Sequence, residues 1–177
     1  MSRKPCQHSV RVRPNWPRGP RNGLSVRPVL SSGMDIGPAS VADFPAIRDL
    51  LRACALSADD VDGMGAQRFL VAREGGTLLG CIGLEVHGEA GLLRSFAVAP
   101  SHRRRGVGAA LNEAAVGLAR GLGVRDLYIL TTTVRERALR GGFEDVAREG
   151  VPAVIREGSQ FRGQCPASAA CMRLRVR

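Results

Sequence analysis

Apolar residues recur along this chain at two periods, and the switching between them predicts the order of its elements. Residues 34–37 read as a short strand. From about Val41 to Cys54, Phe44, Ile47, Leu50 and Leu51 return every three or four residues, the helical period, with Ser40 placed as N-cap. Phe69-Leu70-Val71-Ala72 then reads as a strand, and Glu74-Gly75-Gly76-Thr77 as the hairpin turn into a second strand over 78–86. A turn at 87–91 leads into a third strand, 92–98, which Pro100 ends because proline cannot donate to a central ladder. A long helix follows at about 107–121, with Val107, Ala110, Leu111, Ala114, Ala115 and Leu118 on one face and Gly121 or Gly123 as its cap.

Leu127-Tyr128-Ile129-Leu130 is a continuous apolar run reached from the preceding strand through a helix, which predicts a buried parallel strand. Residues 134–141 read as helix, and 143–147 and 172–176 as two closing strands. The series β-α-β-β-β-α-β-α-β-β predicts an α/β fold. Its sheet is mixed and mostly antiparallel, flanked by helices, in one domain over 34–177 without internal repeat or linker.

Composition changes this picture only at the N-terminus. The formal net charge is +10, but seven of the cations lie in residues 1–33 without one acid, so 34–177 carries +3 from 19 Arg against 16 Asp plus Glu. A basic, disordered extension is expected over 1–33, and Met34 stands where translation would start if that extension were an artefact of the gene boundary. One aromatic, Trp16, and no amphipathic period argue against an organised nucleic-acid reader. No run reaches the ~18 apolar residues that a bilayer span needs, and no secretory h-region is present. A cytoplasmic protein with no membrane partner is the expectation. Five cysteines without a C-x-x-C pair and three histidines make neither a zinc site nor a disulfide framework, so no metal is expected. Cys54 and Cys81 read as small core residues, and Cys165 and Cys171, among small apolar neighbours, read as packing residues, with an arsenite-binding pair as the alternative.

The segment that carries chemistry is Val98-Ala99-Pro100-Ser101-His102-Arg103-Arg104-Arg105-Gly106-Val107-Gly108-Ala109. A strand ends, three arginines precede two glycines one residue apart, and the long helix begins. Glycines let backbone approach a ligand closely, and the unpaired N–H groups of a helix start point outward, so the turn is an anion site suited to a diphosphate. A basic turn that merely caps a helix is the plainer alternative. No Gly-Lys-Ser/Thr follows, which excludes a Walker loop, and the third glycine of a dinucleotide fingerprint is missing.

The turn resembles the pyrophosphate-binding motif Q/R-x-x-G-x-G/A of the GNAT acetyltransferases, with Arg103, Gly106 and Gly108 in the defining places and Val98 and Pro100 matching the V-x-P approach. The resemblance runs over 34–177 and implies a GNAT fold that uses acetyl-coenzyme A as co-substrate. It implies that Phe96, Ala97 and Val98 contact the pantetheine arm, and that Arg104, Arg105, Gly106, Val107, Gly108 and Ala109 cradle the diphosphate. It also implies that the Val98 N–H holds the thioester carbonyl, where a preset donor stabilises the oxyanion that an attacking amine creates.

Two proton roles then need residues. Glu85 is the first choice as base, with His87 and Glu89 nearby; the alternative for Glu85 is a solvent-facing carboxylate on an alternating strand. The segment 135–143 is the equivalent of the family's Ala-x-x-Phe-Tyr-Glu-x-x-Gly-Phe, with Gly142-Phe143 in place but Ala138 where the tyrosine acid stands, so either the thiolate leaves unassisted or catalysis is weak. Tyr128, the single tyrosine, reads as a core residue.

Residues 92–98, Thr131-Thr132-Thr133 and 161–172 resemble the arsenic-resistance N-acetyltransferase branch, which implies a small amine-bearing acceptor such as an organoarsenical amino acid. Arg94 is then a clamp for its carboxylate or arsenic oxyanion, or else one half of a surface ion pair. Thr132 presents a hydroxyl to the acceptor, unless it or Thr133 caps the next helix. Arg94, Arg137 and Arg162 favour an anionic acceptor over a polyamine, antibiotic or peptide amine. A non-catalytic acyl-coenzyme A sensor is the alternative outside the enzyme class. A free strand edge would offer a second copy a place to pair.

Overall fold

A computed structural model describes residues 33–62 and 67–176. Apart from Gly33, the basic extension lies outside the described residues. Strands β1 (Met34–Pro38), β2 (Gln67–Glu74), β3 (Thr77–His87), β4 (Ala90–Val98), β5 (Asp126–Thr131), β6 (Glu144–Asp145) and β7 (Ala170–Arg175) form one sheet in the order β1-β2-β3-β4-β5-β7-β6. Only β4 and β5 run parallel, with a helix carrying the chain back between them. The sheet is therefore mixed and mostly antiparallel, as the sequence pattern predicts.

The helices are α1 (Phe44–Ala53), α2 (Val107–Gly121), α3 (Arg135–Arg140) and the one-turn α4 (Ala153–Arg156). One face of the sheet packs Leu70, Ile82, Leu84, Leu93 and Leu127 against Val107, Leu111 and Ala115 of α2 and Ala138 of α3. The other packs Phe69, Val71, Cys81 and Ala97 against Phe44, Ile47, Leu50 and Leu51 of α1. Alternation along β2 thus sends Leu70 and Val71 to opposite cores.

Local chemistry sets the element ends. Ser40 opens a short 3-10 turn rather than α1 itself: the Asp43 carboxylate accepts from the Ser40 N–H at 2.7 Å, and the α-helix begins at Phe44. At the end of α2, Gly123 takes φ +79 and the Val124 N–H reaches the Ala119 carbonyl, so Gly123 rather than Gly121 closes it. The expected strand at 143–147 shrinks to Glu144–Asp145. Phe143 turns into the core after Gly142 at φ +88, and a 3-10 turn begins at Arg148. The irregular 148–165 stretch carries no apolar period long enough to announce a helix. It is held by Val151 and Ile155, which pack beside Leu92, Tyr128 and Cys171. Tyr128 is a core residue, as expected.

Two irregularities position the site. Pairing of β4 with β5 stops at Leu93–Ile129, although β4 continues to Val98 and β5 to Thr131, so the two strands part beyond that point. Between Gly83–Arg94 and Cys81–Ala97 the β3–β4 register shifts, with Ser95 and Phe96 opposite Ile82 alone. Ser95 sits there at φ +49, and the Cys81 thiol donates to its carbonyl at 3.4 Å. A bulge re-aims backbone and side chains beside an opening, which is where such strain is commonly kept.

Candidate active site

The glycine turn is built from backbone. Arg104 and Gly106 adopt left-handed φ of +66 and +82, which turns the chain sharply from a 3-10 turn into α2. Among the described residues, none of the N–H groups from Arg104 to Ala109 donates to a backbone carbonyl; the first bond of the helix runs from the Ala110 N–H to Gly106. A Cβ on Gly106 would point into open space, and one on Gly108 would sit 3.4 Å from the Phe96 ring. A row of free donors at the positive end of a 15-residue helix, with open space at Gly106, fits a diphosphate. The arginines divide the work: the Arg103 Nε donates to the Val98 carbonyl at 3.2 Å, Arg105 pairs with Glu74 at 3.0 Å, and the Arg104 side chain makes no hydrogen bond or ion pair among the described residues.

Where β4 and β5 part there is a cavity of about 410 Å³. Ile82, Leu93, Ile129, Ala138 and Phe143 give it apolar walls; Thr131, Thr132, Thr133, Gln160 and Gln164 give it a polar side. Of the residues singled out from sequence, the structure brings Arg94, Phe96, Thr132 and Arg137 to this cavity. Ala97, Val98 and 103–109 lie beyond its walls, toward the start of α2. Arg162 is exposed and does not line the cavity. Thr132 is exposed and does not cap α3. Among the described residues α3 has no side-chain cap; the Thr131 Oγ1 accepts from the N–H groups of Thr133 at 3.2 Å and Val134 at 3.0 Å, in the turn that leads into the helix.

Arg94 is not part of a surface ion pair. Its side chain is 1% exposed; Nη1 donates to Glu85, Nη2 to Asp60 and Nε to the Ser95 hydroxyl at 3.2 Å. Burial opposes its charge, but the two carboxylates outweigh that and raise its pKa above the ordinary value. Each Nη has a second N–H beyond the one it gives to a carboxylate.

Glu85 is half-buried, with the His87 Nε2 at 3.6 Å from its second oxygen, and it does not line the cavity. Glu89 pairs instead with Arg125 at the surface. Asp60 was not singled out from sequence. It accepts from Arg94 and from the Ser159 hydroxyl, and so ties the loop after α1 to the 158–165 segment. Burial raises its pKa, but hydrogen bonds from Arg94, Ser159 and Gln164 outweigh that and hold it at about 2. A carboxylate in a polar loop, 34 residues from its partner, carries no local signal. Cys165 reaches the cavity wall, its thiol donating to the Gln160 Oε1 at 3.3 Å, and Cys171 is buried. No cluster of three or more metal-ligating side chains occurs among the described residues, and no described helix is long and apolar enough to cross a membrane.

A sheet parted between its two parallel strands, with a glycine turn and helix start at the same end, sets a turn suited to a diphosphate beside a cavity. The chain belongs to the acetyltransferase (GNAT) family, which its sequence matches over residues 42–141. Among curated proteins it is 26% identical over 157 residues to an amino-acid acetyltransferase of Neisseria meningitidis, an alignment that covers 81% of this chain and 35% of that one. The chain thus spans about a third of that relative's length.

Among solved structures it resembles N-acetylglutamate synthase from Neisseria gonorrhoeae, complexed with coenzyme A and N-acetyl-glutamate. The TM-score is 0.72 at 22% identity, covering 83% of this chain and 36% of that one. It also resembles Rv2747 from Mycobacterium tuberculosis, solved in complex with coenzyme A: TM-score 0.66, 23% identity, 81% of this chain and 99% of that one.

Proposed function

We propose that this enzyme acetylates the amine of a small, carboxylate-bearing amino acid, with the acceptor held in the cavity between β4 and β5. The observation that carries the reading is Arg94, a buried guanidinium in the cavity wall with donors to spare. A planar fork in a partly dry cavity suits a carboxylate, and Arg137 at the same cavity adds a second cation. The relatives named above act on, or were solved with, amino acids or their acetylated forms, which supports the same acceptor class. The resemblance of 92–98, 131–133 and 161–172 to the arsenic-resistance branch adds an organoarsenical amino acid as a particular acceptor to try.

The residues divide the chemistry as follows. Bound at the turn, acetyl-coenzyme A supplies an activated acetyl thioester. The backbone from Arg104 to Ala109, led in by Arg103, holds the diphosphate, and Phe96, Ala97 and Val98 line the path of the pantetheine arm. The Val98 N–H is placed to stabilise the oxyanion that forms as the amine attacks. Glu85 lies behind Arg94 rather than in the cavity wall, so it takes the amine's proton through a water. Thr132 offers the acceptor a hydroxyl at the cavity rim. A pair of like enzymes on free sheet edges is compatible with this arrangement and unnecessary to it.

The test is thiol release from acetyl-coenzyme A by the purified protein with anionic amino acids, amino-bearing organoarsenicals, polyamines, aminoglycosides and peptides. Anionic amino acids are expected to turn over, with an acceptor KM at least tenfold higher in Arg137→Ala and a cofactor KM unchanged. Turnover of peptide or polyamine amines in preference to amino acids would overturn the reading.

A further inference from the structure

Transfer of the acetyl group forms a C–N bond and breaks the C–S bond, and the bonding pair leaves on sulfur. The amine's proton goes to the base, and the thiolate must be stabilised until water protonates it. A donor beside the sulfur lowers that barrier, and it lowers it most where the walls are otherwise apolar.

The crossover topology fixes where such a donor would stand. Because β4 and β5 are parallel and joined through α2, the helix runs back along β4. Gly108 faces Phe96 and Val98, its would-be Cβ 3.4 and 3.6 Å from their side chains. Asn112 lies four residues further, one turn along on the same face, about 6 Å toward the start of β4. That is about two strand residues back from Gly108, level with the point where β4 leaves β5. Asn112 accordingly lines the cavity, beside Ile82, Leu93, Ile129, Ala138 and Phe143. Its side chain is half-buried and makes no hydrogen bond among the described residues. The rest of the buried face of α2 is Val107, Ala110, Leu111, Ala115 and Ala119. An amide among aliphatic neighbours without a protein partner keeps its donors free for whatever fills the cavity.

We infer that the Asn112 amide donates to the sulfur of the cofactor and stabilises the departing thiolate, which makes it a further catalytic residue of this enzyme. The inference rests on the cofactor lying along the α2–α3 face with its thiol in the gap between β4 and β5. Thr131 is less suited, since its hydroxyl oxygen already serves two backbone N–H groups, and Arg137 stands exposed at the rim.

The experiment reads the thiol itself and needs no acceptor. Coenzyme A affinity is measured by calorimetry for the wild type, Asn112→Leu, Asn112→Ser and Arg137→Gln. Each complex is then alkylated with iodoacetamide across a pH series, and the mass of the alkylated cofactor is followed, which separates it from the protein's own cysteines. The expected result is a thiol midpoint about one pH unit higher in Asn112→Leu than in wild type, with Asn112→Ser between them. A unit corresponds to about tenfold in thiolate stability. Affinity is expected to change less than threefold. Equal midpoints in all four proteins, or a shift in Arg137→Gln alone, would overturn the role of Asn112. Failure of the wild type to bind coenzyme A would overturn both this inference and the placement of the cofactor.

Discussion

The two ends of the proposed site are built in opposite ways. At the end proposed for the cofactor, residues 103–109 supply backbone N–H groups, two glycines and three exposed arginines. At the end proposed for the acceptor, one buried side chain, Arg94, gathers Asp60, Glu85 and Ser95, and Asp60 in turn holds Ser159. Generic backbone suffices for a diphosphate, because any helix start offers the same donors and dipole. Discriminating one acceptor from another takes side chains placed from separate parts of the chain, fixed by one another. The cofactor end should therefore fail locally when changed and leave the fold standing, whereas the acceptor end should fail together with stability.

The largest effect expected from this contrast is at Arg94. Arg94→Met leaves the Asp60 and Glu85 carboxylates part-buried without their cation, and removing one partner from a buried ion cluster costs about 3–5 kcal/mol. Urea unfolding at neutral pH is expected to show that loss, and Asp60→Asn introduced into Arg94→Met to recover part of it. The same cluster gives an acid limb. Asp60 has a folded pKa of about 2, below its ordinary 3.8, so its contribution is complete above about pH 4 and is lost as pH falls toward 2. Wild-type stability should fall over that window by more than that of Asp60→Asn. Equal acid limbs, or an Arg94→Met variant as stable as wild type, would mean that the acceptor end is no more integral to the fold than the turn.

The same contrast accounts for what the sequence made legible. Strand order through β4, the crossover helix and the parallel β5 follow from local periods and from the rule that parallel neighbours need a crossover. The glycine turn was readable because its chemistry is contiguous. Three things were not readable. Asp60 meets Arg94 across 34 positions, and nothing in Ala58-Asp59-Asp60-Val61-Asp62 says which acid does so. The threonine that ties the turn before α3 is Thr131, although Thr132 and Thr133 have the same local chemistry; the choice depends on where β5 ends. Asn112 sits inside a helix whose apolar period is complete without it, so its meaning depends on the gap between two strands that pairing rules alone would have closed.

A middle-sized effect is expected at the turn. Gly106 has φ +82, where an L side chain is strained by about 1–3 kcal/mol, and a β-branched residue suffers most. Gly106→Val is expected to weaken acetyl-coenzyme A binding by at least tenfold in calorimetry. It should leave the acid limb and the acceptor side intact, because open space surrounds that position. Loss of stability comparable to that of Arg94→Met would erase the distinction between the two ends.

The smallest effect concerns an ion pair of the same chemical kind as the one at Arg94, placed in water instead. Arg105 and Glu74 meet at 3.0 Å, but their side chains are 41% and 31% exposed. Solvent and salt screen such a pair, and the cost of fixing two long side chains offsets most of its attraction, leaving about 0–1 kcal/mol. A double-mutant cycle with Arg105→Ala and Glu74→Ala is expected to give a coupling in that range that vanishes at high salt. The corresponding cycle on Arg94 and Asp60 should give a larger coupling that salt hardly changes. Arg105→Ala should nonetheless weaken cofactor binding severalfold, since a cation beside the diphosphate acts on the ligand rather than on the fold. If both cycles gave the same small, salt-sensitive coupling, the Arg94 cluster would be a surface feature in energetic terms, and its part in selecting the acceptor would rest on geometry alone.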